Sequence, residues 1–284
     1  MKLRISFFAV IIFSIIVFRS ENIAEEGKVK SNDGIEISYS VNGEGDVALV
    51  FVHGWSCDKS YWKNQVDEFA EEYKVVTVDL AGHGDSGNER ADYKINFFGE
   101  DVASVITTLG LNKVVLIGHS MGGAVIFETY GFVSPRVLGL IGIDTYQGLT
   151  DKYPEEQTNQ FIQPFKDNFV EAAKGFVKSM FPPSADSVLA EKIADDMSQA
   201  PQNVALSAIE NLFRYENPEL LAQINVPVIS INGDLFPTNY EENKKVLPTY
   251  ELKIINNCGH FPMFEKTEEF NKILKETIVE LTSK

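Results

Sequence analysis

Gly118-His119-Ser120-Met121-Gly122-Gly123 is the stretch whose reading decides the fold. The aliphatic run Val114 to Ile117 precedes it, and a helix-forming stretch, Met121 to Gly131, follows it. A Gly-x-Ser-x-Gly segment between a strand and a helix sets the serine on a tight, strained turn, with its hydroxyl projecting at the carboxyl end of the strand. Such a turn closes only if the residues two positions away are small, and Gly118 and Gly122 meet that condition. The Met121 amide then opens the helix, where free N–H groups and the helix dipole favour an anion. Ser120 is therefore expected to be a nucleophile, with the Met121 amide as one donor of an oxyanion hole.

On either side of this turn, short β-branched runs alternate with helical stretches. Val47–Val52, Val75–Val78, Val114–Ile117 and Val137–Ile143 are nearly continuous apolar segments, as strands covered on both faces should be, and Val226–Ile231 and Leu252–Ile255 add two more. Gly34–Gly43 differs, because Ile35, Ile37, Tyr39 and Val41 fall at period two and predict a half-buried antiparallel strand. Helices are predicted over 59–71, 96–109 with Asn96 as cap, 121–131, 240–246 and 267–281. This alternation predicts an α/β fold with a mostly parallel central sheet and helices on both faces. It breaks over 146–222, which reads as helices only and carries Phe161, Phe165, Phe169, Phe176 and Phe181. That segment is expected to be an inserted helical cap over one end of the sheet, its aromatic residues serving as packing more readily than as a substrate wall. The core is then 29–145 together with 223–284.

The 284 residues are 44% hydrophobic and 23% charged, which allows a sizeable core and excludes disordered, collagenous and coiled-coil chains. The net charge, 25 − 41 = −16, repels phosphate backbones, so no nucleic-acid partner is expected. Cys57 and Cys258 lack the spacing of a zinc site and are too few for a disulfide scaffold. Lys2 and Arg4 precede an apolar run from Ile5 to Phe18 that is shorter than the roughly 20 residues of a membrane span. Residues 1–24 read as a secretory signal or, because Arg19 follows directly and no small-x-small site is evident, as an uncleaved membrane anchor. The chain is thus expected to be exported, periplasmic or extracellular, or tethered. An oxidising compartment would allow Cys57 and Cys258 to pair; two buried free thiols are the preferred reading.

A serine needs a base, and the chain holds four histidines. His119 adjoins Ser120, while His53 and His83 lie in glycine-flanked turns after earlier strands. His260 remains, in Cys258-Gly259-His260-Phe261-Pro262 just beyond the last strand, where loops carry catalytic groups. His53-Gly54-Trp55 follows the strand 47–52 and offers the Trp55 amide as the second oxyanion donor, with Gly54 allowing close backbone approach.

With HGW at 53–55, DLAGHGDSG at 79–87, GHSMGG at 118–123 and GHFPMFE at 259–265, the chain from 29 to 284 resembles the α/β-hydrolase fold family. The resemblance implies Ser120 as nucleophile, His260 as base, the Trp55 and Met121 amides as oxyanion hole, 146–222 as cap, and neither metal nor cofactor. The chain departs from the usual pattern at the acid, whose customary place after the strand 226–231 is taken by Phe236. Asp234 is the only acid in that loop and is preferred; Asp144, after the strand 137–143, is the alternative, and Asp79 reads as a loop-stabilising residue. The expected function is that of a serine hydrolase cleaving a small carboxylic ester or related acyl substrate through an acyl-enzyme. An acyltransferase, a lactonase, a carbon–carbon bond hydrolase, a cofactor-free haloperoxidase and a non-catalytic binding protein share these motifs.

Overall fold

The computed structural model describes residues 24–283, so the signal or anchor expected over 1–24 lies, but for its last residue, outside the described residues. In chain order the strands are β1 (Glu25–Lys30), β2 (Glu36–Asn42), β3 (Ala48–Val52), β4 (Lys74–Val78), β5 (Val114–His119), β6 (Val137–Ile143), β7 (Val228–Gly233) and β8 (Tyr250–Ile255). They form one sheet in the order β1-β2-β4-β3-β5-β6-β7-β8. β2 runs antiparallel to both β1 and β4, and the pairs from β4 through β8 are parallel. Every residue of β3, β5 and β7 is buried, as expected of strands covered on both faces.

β1 carries no such signal. Glu25, Glu26, Lys28 and Lys30 surround a single apolar residue, Val29, which is partly buried against the core, and the strand pairs with β2 alone. The sheet therefore begins four residues before the core boundary expected at 29.

The helices are α1 (Lys63–Phe69), α2 (Ile95–Thr108), α3 (Met121–Val133), α4 (Glu155–Asp167), α5 (Phe169–Ser179), α6 (Ser187–Met197), α7 (Gln202–Phe213), α8 (Pro218–Leu221), α9 (Tyr240–Val246), α10 (Pro262–Glu265) and α11 (Thr267–Thr282). α1 is preceded by a 3-10 turn, Lys59–Trp62, whose cap Asp58 accepts the Ser60 amide at 2.8 Å. α2 starts one residue before the expected Asn96 cap: Lys94 takes the cap position without a side-chain bond, and Ile95 is drawn into the core. Packing overrode the capping preference there.

β6 shows how both faces of the sheet are covered. Gly139 lies against Leu281 of α11 and Gly142 against the ring of Tyr146, which stacks on Phe127 of α3 at 4.4 Å. Residues three apart on a strand face opposite ways, so α11 and α3 pack on opposite faces.

Between β6 and β7 lie α4 to α8 and no strand. Among the hydrogen bonds that fasten this helical segment over the carboxyl ends of the parallel strands, three come from the loops that follow β3 and β8. Trp55 Nε1 donates to the Ala205 carbonyl at 2.7 Å, Tyr61 Oη to Asp196 at 2.6 Å, and the His260 amide to the Met180 carbonyl at 3.0 Å. The phenylalanines serve as packing: Phe165, Phe169 and Phe176 present themselves edge-on to the Trp55 ring. Cys57 and Cys258 are buried free thiols, so the bridge considered above does not form. No helix among the described residues is long and apolar enough to cross a membrane.

Candidate active site

Ser120 stands at φ 52°, ψ −118°, between the last residue of β5 and the first of α3. A non-glycine residue in that region costs about 1–3 kcal/mol and persists only where its surroundings impose it. Here they do. A Cβ at Gly118 would lie 2.2 Å from the Gly122 carbonyl oxygen, and one at Gly122 would lie 2.5 Å from that of Val52. The Ser120 amide donates to Ile143 O of β6 at 3.0 Å, and its carbonyl accepts the Gly123 amide at 2.9 Å. Although Ser120 occupies the N-cap position of α3, its side chain makes no capping bond, which leaves the hydroxyl available. The Met121 and Gly122 amides at the start of α3 have no partner within the helix. On the other side, Gly54 approaches so closely that a Cβ there would lie 3.2 Å from Ser120 Cβ, placing the turn that carries the Trp55 amide beside the nucleophile.

Asp144, not Asp234, faces the histidine. His260 Nδ1 lies 2.5 Å from Asp144 Oδ2, and Asp144 Oδ1 accepts the Gly233 amide at 2.9 Å. Asp144 is buried, and its φ of 42° turns the carboxylate out of β6 towards the β8 loop. The preference for Asp234 is thereby corrected. Asp234 is exposed and accepts the Cys258 amide at 3.1 Å, and backbone N–H groups of Asn257 and Cys258 hold its carboxyl below the usual range. It shapes the turn that leads to His260 and does not reach the ring. The physical reason lies at β7: the Gly233 amide points at Asp144, so the acid side of the histidine is already occupied from β6 when the chain reaches Asp234.

The loop carrying His260 is tied down along its length. Glu265 accepts the Gly259 amide through Oε2 and the Phe261 amide through Oε1, each at 2.9 Å. Burial raises the Glu265 carboxyl's pKa, and those two donors only partly oppose the rise. The His260 carbonyl accepts from His119 Nε2 at 2.8 Å, which links the histidine loop to the residue before the nucleophile. Sequence reasoning assigned no role to Glu265. Its spacing of five from His260 across a Pro-initiated turn was the available signal.

The remaining histidines are occupied elsewhere. His53 Nε2 accepts the Leu80 amide at 3.0 Å while its Nδ1 donates to Gly54 O at 2.8 Å, so the ring is a neutral brace between the turns after β3 and β4. His83 Nδ1 bonds Ala81 O at 3.0 Å. Burial lowers the pKa of all three, His83 to about 3. Asp79 is fully buried and accepts Lys59 N at 2.7 Å, Lys59 Nζ at 2.8 Å and Asp85 N at 3.0 Å, the loop-stabilising arrangement expected of it. Among the described residues no group of His, Cys, Asp and Glu is placed to hold a metal ion.

Strained serine, carboxylate-paired histidine and clustered backbone amides form an arrangement suited to nucleophilic attack on a carbonyl. The chain is 26% identical over 255 residues to a dihydrolipoyllysine-residue acetyltransferase component of an acetoin cleaving system of Cupriavidus necator, covering 86% of this chain and 67% of that protein. It is 25% identical over 253 residues to the karrikin insensitive 2 receptor IA of Petunia hybrida, covering 82% and 90%. A solved thermophilic esterase from Thermogutta terrifontis superposes with a TM-score of 0.78 at 26% identity, covering 91% of this chain and 99% of that one. The sequence profile of the Alpha/beta hydrolase family matches residues 49–273, most of the chain and all of the elements that carry the site, and the protein belongs to that family.

Proposed function

We propose that this protein is a serine hydrolase that cleaves a carboxylic ester or related acyl substrate through an acyl-enzyme. The observation that carries the reading is the His260–Asp144 pair beside a strained Ser120 whose hydroxyl is not spent on capping. Asp144 fixes the tautomer with the proton on Nδ1, which leaves Nε2 free to act as base. Ser120 Oγ attacks the carbonyl carbon as His260 takes its proton. The resulting oxyanion is held by the Met121 and Trp55 amides, and the leaving alcohol receives the proton back from His260. Water, deprotonated by the same histidine, then attacks the acyl-serine; the acid is released and Ser120 regains its proton. An acceptor other than water would make the same machinery a transferase.

The likeness to a solved esterase supports the hydrolase reading, and the likeness to a plant receptor supports the rival, a ligand-binding protein. Turnover separates them. A fluorophosphonate probe should label the wild type but not Ser120→Ala, and aryl-ester turnover should fall by three or more orders of magnitude in Ser120→Ala and in His260→Ala. Full turnover in either folded variant, or no labelling of the wild type, would refute the reading.

A further inference from the structure

A cleft of about 360 Å³ is lined by the elements that continue from the nucleophile and the acid, within the range of roughly 300–1,000 Å³ typical of small-ligand sites. Two of its walls grow out of the elements that carry the reacting groups. One is α3 at Ala124 and Phe127; another is the segment after β6 at Tyr146, two residues beyond Asp144; Leu212, Phe213 and Leu221 of α7 and α8 complete the lining. Ala124 is the one residue between Met121 and Tyr130 that is not buried, and it lines the cleft. It lies four residues along α3 from Ser120, about 6 Å at 1.5 Å per residue. Tyr146 is a fixed wall: its ring stacks on Phe127 and its hydroxyl donates to the Gly123 carbonyl at 2.7 Å.

The space on the other side of the nucleophile is filled, because Trp55, Phe165 and Phe169 are buried against one another. The cleft carries charge only at its rim. Lys152 pairs there with Glu216 at 2.5 Å, and Asp151 stands beside them as a further negative charge. With the chain at −16 overall, an anionic group entering this rim is repelled.

We propose that this cleft is the acyl subsite of the enzyme and that it takes an uncharged, medium-length hydrocarbon acyl group. The inference rests on the serine-hydrolase reading. The acyl group stays bonded to Ser120 throughout the intermediate, so its chain belongs against the helix that Ser120 begins, whereas the alcohol departs once His260 has protonated it. An acetyl group would leave most of the cleft empty.

The test uses the full-length protein with p-nitrophenyl acetate, hexanoate and decanoate, the anionic mono-p-nitrophenyl ester of adipic acid, and the acetates of short and long alcohols. Wild type should prefer hexanoate to acetate by about tenfold or more, since each buried methylene is worth about 0.8 kcal/mol, and should discriminate against the anionic ester. Leu212→Trp and Leu221→Trp, each of which fills the cleft, should lower the hexanoate-to-acetate ratio of kcat/KM by about tenfold or more. A ratio is insensitive to the fraction of protein folded. An unchanged ratio in both variants, or a change in the alcohol series instead, overturns the acyl subsite while leaving the hydrolase reading intact. No turnover of any ester by wild type overturns both.

Discussion

The turn at 118–123 and the loop at 256–265 each hold one reacting side chain, and they are held by different means. The serine turn is closed by steric contact: a Cβ at Gly118 would meet the Gly122 carbonyl of the same turn, and one at Gly122 would meet the Val52 and His53 carbonyls at the end of β3, with the strained φ of Ser120 between them. The histidine loop has one local brace, Glu265, and is otherwise held from outside. Its amides are taken by Asp234, Glu265 and Met180, its carbonyl at His260 by His119, and its imidazole by Asp144. One site is specified mainly by steric exclusion around two glycines, the other mainly by hydrogen bonds, from Glu265 within the loop and from four other places in the chain. A motif search finds the first directly and the second only by elimination.

The largest test of this contrast lies at the acid. Asp144→Asn should lower aryl-ester turnover by about 10⁴, because the amide can stabilise the wrong histidine tautomer. Asp234→Asn should stay within about tenfold of wild type, since its carbonyl oxygen can still accept the Cys258 amide. Steady-state rates of the two variants decide the matter, and the reverse ranking would mean that the histidine loop rearranges during catalysis. On the other side of the comparison, Gly122→Ala should cost about 10² in kcat. Its methyl would sit 2.5 Å from Val52 O and 2.7 Å from His53 O, and displacement of the nucleophile by about 1 Å carries a loss of that order. Near-wild-type kcat there would show that the turn tolerates what its geometry excludes.

A smaller effect is expected at Glu265→Gln, which leaves one of two buried amides facing another donor. The cost should be about 1–3 kcal/mol of stability in urea unfolding, with roughly a tenfold loss in kcat and little change in KM. A loss confined to KM would place Glu265 outside the positioning of His260. The smallest effect concerns the buried rings beneath the site. An unfolded histidine takes a proton below about pH 6.5, whereas His83 in the fold resists it to about pH 3, through burial and the nearby His53. Protons therefore favour the unfolded chain, and stability is lost as pH falls from about 6.5 towards 3. His83→Gln should reduce the loss between pH 7 and 5.5 by about 1 kcal/mol, read from unfolding curves at the two pH values.

Much of the fold was legible because buried parallel strands announce themselves as unbroken aliphatic runs. β3, β5 and β6 fall within one or two residues of their expected limits, and the strandless helical stretch lies between β6 and β7 as expected. β1 was not legible, since an edge strand with Glu and Lys at four of its six positions gains its structure from the ladder to β2 rather than from burial. The residues around Ser120, and the choice of His260 over the other three histidines, were also readable. His53 and His83 lie in glycine-flanked turns and His119 adjoins the nucleophile, and all three are buried in the fold.

The choice between two aspartates was not readable, because both follow a strand, both precede His260 in the chain, and neither sits at the customary spacing. By itself the sequence determined where the backbone must be tight, where it must be buried and which side chains are chemically able to react, since those depend on residue size, polarity and near neighbours. Only the tertiary structure decided which carboxylate meets the histidine and which elements line the cleft built from α3 and the segment after β6. Those choices depend on the order of β6, β7 and β8 in the sheet and on the direction of a single Gly233 amide, and they bring together atoms from segments far apart in the chain.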